Sequence, residues 1–148
     1  PLVDMPIMGF DMIAIGDKIT GLFFDFTPTV STSSILEHSL KKLKKRYNST
    51  ERKLPEWATF FSNDFYCVTP DPSELADILK DIKKYIEYYL YMGRGLREEY
   101  EYNIHIQNGY CKGQQKNDKT LKALAAEIGL PDAKCFMMKY LFPEIDNL

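Results

Sequence analysis

A short polar segment, residues 114–120 (Gln-Gln-Lys-Asn-Asp-Lys-Thr), contains the side chains best suited to binding a polar ligand. It lies between two predicted helices, and Asp118 or Asn117 can cap the N-terminus of the second one. Lys119 would lie at the same helix end, where free N–H groups and the helix dipole stabilise an anion. Two interpretations stay open here. The segment is a solvated linker with a helix cap, or Asp118 belongs to a site that binds a polar, anionic ligand.

A second carboxylate, Asp11, lies inside an apolar, strand-like segment over residues 7–15. A buried carboxylate without a partner is costly unless its pKa rises and it becomes neutral. Asp11 is therefore either a solvent-facing residue or an acid with a function. A third carboxylate, Asp25, precedes Thr27-Pro28, and we predict that it caps the turn there.

A strongly basic stretch covers residues 41–53, with seven Lys and Arg against one Glu. It is either a solubilising helix face or a docking surface for an acidic protein, because local field steers association more than net charge does. The candidate docking residues are Lys41, Lys42, Lys44, Lys45 and Arg46.

Composition excludes several classes of protein. The 148 residues suffice for one domain with a core, and a net charge of -2 argues against nucleic-acid binding. No apolar run is long enough to span a membrane. Three separated Cys and two His fit neither a disulfide framework nor a metal site, so we expect no metal and a reducing compartment. Ten Tyr and nine Phe indicate a thick aromatic core or a wall for a flat ligand.

The order of predicted elements indicates an α+β fold. Residues 7–15 and 19–26 form a hairpin around Gly16-Asp17, and residues 65–68 form another strand. The apolar hairpin strands suggest a sheet covered on both faces. Helices are predicted over residues 35–47, 72–92, 96–113, 119–128 and 132–141, with Asp71, Pro72 and Glu74 starting the second. We expect helices packed on a mostly antiparallel sheet.

Several segments of the sequence resemble those of a known protein family. Met5-Pro6-Ile7-Met8-Gly9-Phe10-Asp11, the hairpin ending in Asp25-Phe26-Thr27-Pro28-Thr29, and Phe61-Ser62 before an aromatic strand resemble the ferredoxin-dependent bilin reductases. The segment from Tyr110-Cys111 to Thr120, with Tyr140-Leu141-Phe142-Pro143, is the most specific part of the resemblance. It implies an α/β/α sandwich with a central antiparallel sheet, and a single domain over residues 1–148 that lacks the family's N-terminal third.

The resemblance also implies a mechanism. Asp11 and Asp118 match the family's two catalytic aspartates, which would protonate radical intermediates of an open-chain tetrapyrrole. A desolvated site would raise their pKa values. Lys119 would hold a propionate, with Asn117 and Ser62 as further substrate-binding residues. No cofactor would be bound, because reduced 2Fe-2S ferredoxin would dock on the basic stretch and supply the electrons.

Within the family, the start and end of the chain look most like the members that form phycoerythrobilin from 15,16-dihydrobiliverdin. The other hypothesis is a bilin-binding carrier that does not catalyse. We expect a monomer, located in the plastid stroma if the source is eukaryotic and in the cytoplasm if it is a cyanobacterium or a phage.

Overall fold

The first two strands form the predicted hairpin. The computed structural model describes residues 5–28, 34–94 and 100–145. In it, β1 (Ile7–Ile15) pairs antiparallel with β2 (Lys18–Thr27). The chain reverses at Gly16, which has a φ of 61°. Glycine adopts this conformation at little cost because it has no Cβ. An irregularity between Ile13 and Ala14 shifts the register by one residue, so that Asp11 faces Phe23.

Two short strands complete an antiparallel sheet with the order β1-β2-β4-β3. The predicted aromatic strand is present as β4 (Tyr66–Thr69), which pairs with β2. The sequence patterns missed β3 (Thr50–Glu51), because two polar residues carry no alternating signal. The α+β class and the antiparallel sheet are confirmed.

One face of the sheet forms the hydrophobic core. Leu22, Phe24 and Phe26 alternate along β2 and are fully buried, and we call their side of the sheet the core face. Two helices, α1 (Ser34–Arg46) and α2 (Leu75–Gly93), cover this face. They contribute a cluster of fully or almost fully buried apolar residues, namely Leu36, Leu40, Leu43, Ile78 and Ile82.

A buried carboxylate joins the two core helices. Asp81 of α2 accepts hydrogen bonds from Arg46 at 2.7 Å, from Tyr47 at 2.9 Å and from Lys84 at 3.1 Å. Burial raises the pKa of Asp81, but the hydrogen bonds of Lys84 and Tyr47 and the charges of Arg46 and Lys84 outweigh it and lower the pKa overall. Asp81 is therefore ionised, and its hydrogen bonds join α1 to α2.

The start of α2 differs from the prediction. The helix begins at Leu75, and Asp71 accepts from the Ser73 N–H in the turn before it. Glu74 does not complete a capping box, because its carboxylate accepts from the Asn48 N–H at 2.9 Å. Glu74 therefore binds a residue distant in sequence instead of the backbone at the start of its own helix. Ser33 or Ser34 is the N-cap that the sequence predicts for α1, and the side chains of both lie outside the described residues.

The C-terminal helices are α3 (Tyr100–Gln114), α4 (Asp118–Ile128) and α5 (Leu130–Phe136), continued by a π-helix (Met137–Leu141). The last helix begins at Leu130, before the predicted Asp132. The end of the chain returns to α3, where Asn108 exchanges two hydrogen bonds with the Ile145 backbone at 2.8 Å. In the described ranges no helix is long and apolar enough to cross a membrane.

Candidate active site on the aspartate face

The register of the hairpin places two aspartates on the face opposite the core. Gly9 pairs with Asp25 and Asp11 with Phe23, and paired residues share one face of a sheet. Cys67 of β4 joins them through its pairing with Phe23. We call this side of the sheet, bearing Asp11, Phe23, Asp25 and Cys67, the aspartate face.

Asp11 is exposed, because β1 is the edge of the described sheet. The expectation that the sheet is covered on both faces is therefore wrong for most of β1. Ile15 at its end is 70% exposed. Of the two interpretations of Asp11, the exposure matches that of a solvent-facing residue at a sheet edge, and a function for this carboxylate stays a prediction.

Aromatic rings cover the neighbouring part of the aspartate face. Residues 57–65, which we call the aromatic segment, include Phe61, stacked on Phe65 with ring centroids 4.2 Å apart. Phe60 packs edge-on against Tyr110 of α3 at 5.2 Å. The Tyr110 hydroxyl lies above Gly9, 3.6 Å from where a Cβ would be. These aromatic residues therefore pack on one another and reach β1 at Gly9, two residues before Asp11.

Asp25 is the buried acid of this face, which the sequence patterns did not single out as functional. It is 1% exposed and accepts hydrogen bonds from the Thr27 hydroxyl at 2.7 Å and from the Ser62 N–H at 3.0 Å. The Ser62 hydroxyl donates to its other oxygen. Burial raises the pKa of Asp25 although these hydrogen bonds oppose the rise. Asp25 thus binds Thr27 and the aromatic segment, and the turn that it was predicted to cap continues beyond Pro28 outside the described residues. The sequence did contain a signal for the position of Asp25. It alternates with the apolar residues Leu22, Phe24 and Phe26, which places it on the opposite face of the sheet.

The polar segment between α3 and α4 contains a helix cap and an exposed acid. Asn117 is the N-cap, since its side-chain oxygen accepts from the Thr120 N–H at 3.2 Å. Asp118 is exposed and accepts from Lys122 at 2.8 Å. The hydrogen bond and charge of Lys122 lower the pKa of Asp118. The expected rise of this pKa is therefore not observed, because the carboxylate is exposed and bound to Lys122.

Basic side chains lie near the same face. The charge of Lys119 lowers the pKa of the buried Cys67 thiol, as do those of Arg52 and Lys44, although burial raises it more strongly. Arg52 lies over the Phe23 ring, 5.6 Å from its centroid. Positive charge from α4 and from the end of β3 is therefore available to an anionic group beside the sheet. From the sequence, Arg52 was assigned only to the basic stretch.

The structure brings the predicted site residues to one side of the sheet without bringing them into mutual contact. Asp11 lies on β1, and the Tyr110 hydroxyl of α3 lies near Gly9 of the same strand before the chain reaches Asn117, Asp118 and Lys119. An open apolar groove of 370 Å³ between β1 and α2, lined by Phe10 and Ile86, lies on the core face and contains none of these residues.

The basic stretch is partly neutralised by ion pairs. Lys41 pairs with Asp64 at 3.5 Å, and Lys44 pairs with Glu51 at 3.7 Å. Arg46 binds Asp81 as described above. Within the part of the chain that the structure describes, Lys42 and Lys45 are exposed and form no ion pair. These two lysines are the strongest candidates for docking.

Comparisons with known proteins identify the family of the chain. A family model described as ferredoxin-dependent bilin reductase matches residues 1–143. A phycocyanobilin:ferredoxin oxidoreductase from Prochlorococcus marinus (strain MIT 9515) is 25% identical over 127 residues, covering 81% of this chain and 53% of that protein. The protein of the same name from a second strain of Prochlorococcus marinus is 27% identical over 133 residues, covering 84% of this chain and 54% of that protein.

A crystal structure of phytochromobilin synthase from tomato in complex with biliverdin has a similar fold, with a TM-score of 0.71 and 18% identity. The alignment covers 95% of this chain and 56% of that one. The chain thus spans about half the length of the relatives it matches. The curated relatives are named for phycocyanobilin, so closeness to phycoerythrobilin-forming members stays a prediction.

Because the family model covers nearly the whole chain and the fold agrees with that of a solved bilin-binding enzyme, the chain belongs to the ferredoxin-dependent bilin reductase family.

Proposed function

We propose that the protein reduces an open-chain tetrapyrrole of the biliverdin class, with electrons supplied one at a time by reduced ferredoxin. The observation that carries the proposal is the aspartate face, where an accessible carboxylate, Asp11, lies beside an aromatic wall suited to a flat pigment. The family assignment supplies the reaction type. The chain spans only half of its relatives, so substrate and partner remain part of the proposal.

Reduction of one double bond consumes two electrons and two protons, and ferredoxin supplies only the electrons. The protons must come from side chains or water beside the pigment. In the proposal, Asp11 donates from the sheet side and Asp118 from the helical side, each to a different position of the pigment. Bound pigment would exclude water from Asp118 and weaken its preference for the ionised form, because desolvation penalises charge.

The remaining residues bind the pigment. Lys119 would hold a propionate at the N-terminus of α4, where the helix dipole also favours an anion. Asn117 uses its oxygen as the helix cap, and its amide nitrogen would donate to a pyrrole carbonyl oxygen. Ser62 gives its proton to Asp25, so its hydroxyl oxygen would act toward the pigment as an acceptor.

Two products are compatible with the proposal. The resemblance of the chain's start and end favours phycoerythrobilin, formed from 15,16-dihydrobiliverdin. The names of the curated relatives favour phycocyanobilin. Chromatography of the product against both standards decides between them.

The direct test is incubation of the protein with biliverdin or 15,16-dihydrobiliverdin, ferredoxin and a ferredoxin-reducing system. We expect the pigment absorbance to shift to that of a phycobilin, with no shift when ferredoxin is omitted. Pigment that binds and never changes would instead identify the non-catalytic carrier.

Ferredoxin docking has a separate test. We expect Lys42→Glu combined with Lys45→Glu to lower the ferredoxin-driven rate about tenfold at low ionic strength, since these unpaired charges would steer an acidic partner. The deficit should shrink above physiological salt, where charges are screened. A matched double change, Lys134→Glu with Lys139→Glu on the C-terminal helices, should have little effect. A rate deficit without salt dependence would contradict docking at this surface.

A further inference from the structure

Asp25 has an unusual environment for an acid. It is 1% exposed, and within the described residues it has no cationic partner, only hydroxyl and N–H donors. A buried carboxylate without a counter-charge is unfavourable unless several hydrogen bonds compensate for lost water. A residue that serves the fold alone would cost less as a hydrophobic side chain of similar volume. The free-energy cost of burying the Asp25 carboxylate therefore needs another explanation.

The hydrogen bonds of Asp25 attach the aromatic segment to the sheet. Ser62 directs both its N–H and its hydroxyl at the two oxygens of the carboxylate. The segment contains no helix or strand over residues 57–65, so backbone pairing does not hold it in place. Its other contacts with the sheet are apolar, such as Phe65 with Phe23 at 6.4 Å. Asp25 is thus the polar anchor of the segment on β2.

The aromatic segment in turn supports α3. Phe60 fills the space at Gly113, where any Cβ would collide with its ring. Phe60 and Phe61 both contact the Tyr110 ring edge-on, at 5.2 and 6.3 Å. Gly113 and Tyr110 lie in the last two turns of α3, which ends one residue later at Gln114. The position of this helix end therefore depends on the position of Phe60.

The end of α3 leads directly into the residues proposed to bind and protonate the pigment. Backbone hydrogen bonds from Lys116 to Gly113, at 3.1 Å, and from Asn117 to Gln114, at 2.9 Å, continue the helix end into the cap of α4. A continuous series of contacts joins Asp25 to the residue before Asp118.

We propose that Asp25 is a positioning residue, which holds the aromatic segment and, through it, the end of α3 and the Asn117–Lys119 segment in a fixed position relative to the sheet. The inference rests on the proposed function, because Asp11 and the Asn117–Lys119 segment are its binding and proton-donating groups. Asp25 itself does not touch the pigment. It sets the space between the two acids into which the pigment fits.

The lone tryptophan of the chain reports on the segment without any pigment. Trp57 is half-buried and stacks on Phe60, with ring centroids 6.1 Å apart. In Asp25→Ala and in Ser62→Ala, we expect acrylamide to quench Trp57 fluorescence about twofold more efficiently, because the anchored segment becomes mobile. The matched control is Asp81→Ala, which removes another buried acid, one that joins α1 to α2 on the core face. It should leave the quenching unchanged.

Pigment binding completes the experiment. Asp25→Ala should raise the Kd for biliverdin about tenfold, the effect of losing hydrogen bonds to a charged group. Asp25→Asn keeps an acceptor oxygen and should restore most of the affinity. In the double change with Ser62→Ala, the quenching of Trp57 should be little greater than in Asp25→Ala, because both changes remove the same anchor. Thermal unfolding identifies variants that do not fold. If Asp25→Ala is one of them, the quenching of Trp57 in Ser62→Ala, which keeps the carboxylate, decides the question.

The outcomes distinguish the positioning role from the proposed function. If the unchanged protein does not bind biliverdin, the proposed function fails and the inference fails with it. If it binds biliverdin and the Asp25 and Ser62 variants match Asp81→Ala in quenching and in Kd, the proposed function stands and the positioning role is overturned.

Discussion

Replacing Asp118 by Asn is expected to lower kcat about a thousandfold while the Kd for the pigment stays within about twofold. Asn has nearly the same shape and still accepts and donates hydrogen bonds, but it cannot release a proton. An electron from ferredoxin would then reach the pigment without the proton that must follow. We expect a radical intermediate to accumulate, visible by electron paramagnetic resonance and by a long-lived change in absorbance.

The environment of Asp118 adds a condition to this prediction. In the ligand-free chain Lys122 lowers the pKa of Asp118, and a carboxylate that is ionised at neutral pH holds no proton to give. Pigment binding must therefore exclude water from this acid before it can act. Lys122→Met should extend the activity to higher pH, because the carboxyl then keeps its proton to a higher pH.

The control for Asp118 is Asp132→Asn. Asp132 is an exposed acid in the first turn of α5, as Asp118 is in the first turn of α4. Its loss should leave kcat unchanged. Normal turnover by Asp118→Asn would show that another group supplies the proton.

The hairpin shows how far sequence reasoning reached and where it stopped. Mostly apolar runs and the Gly16 turn predicted both strands, the second to within one residue at each end. A regular two-residue turn would pair Ile15 with Lys18 and, continued without a shift, Asp11 with Leu22 of the core face. The irregularity at Ile13 moves Asp11 opposite Phe23 instead. A one-residue shift in pairing moves the side chains of a strand to the other face of the sheet. No local residue preference predicts where such a shift occurs.

The aspartates show a second limit of prediction from sequence. Sequence spacing singled out Asp11 and Asp118, but the acid with a raised pKa is Asp25, and the pKa of Asp118 is lowered. A pKa depends on which groups pack around the carboxylate, and these come from distant parts of the chain. Ser62 is 37 residues from Asp25 in sequence. Pattern reasoning sees neighbours along the chain, whereas burial is decided by tertiary contacts.

Replacing Asp11 by Asn gives the second large effect. We expect kcat to fall at least about a hundredfold, because in the proposed mechanism Asp11 is the acid on the sheet side of the pigment. Asp11 is exposed, so its replacement should shift the melting temperature by less than about 2 °C. The loss of activity would then not result from unfolding. Asp17→Asn, an exposed acid in the turn of the same hairpin, is the matched control and should remain fully active.

The two aspartate variants should stall at different stages. Asp11 and Asp118 lie on different elements, a sheet edge and a helix N-terminus, so in the proposed mechanism they would not protonate the same atom of the pigment equally well. In single-turnover experiments, the spectrum trapped with Asp11→Asn should therefore differ from that trapped with Asp118→Asn. The double variant should stall at the earlier of the two stages. Identical trapped spectra would mean that both carboxyls serve one proton transfer, and the assignment of one acid to each side of the pigment would be wrong.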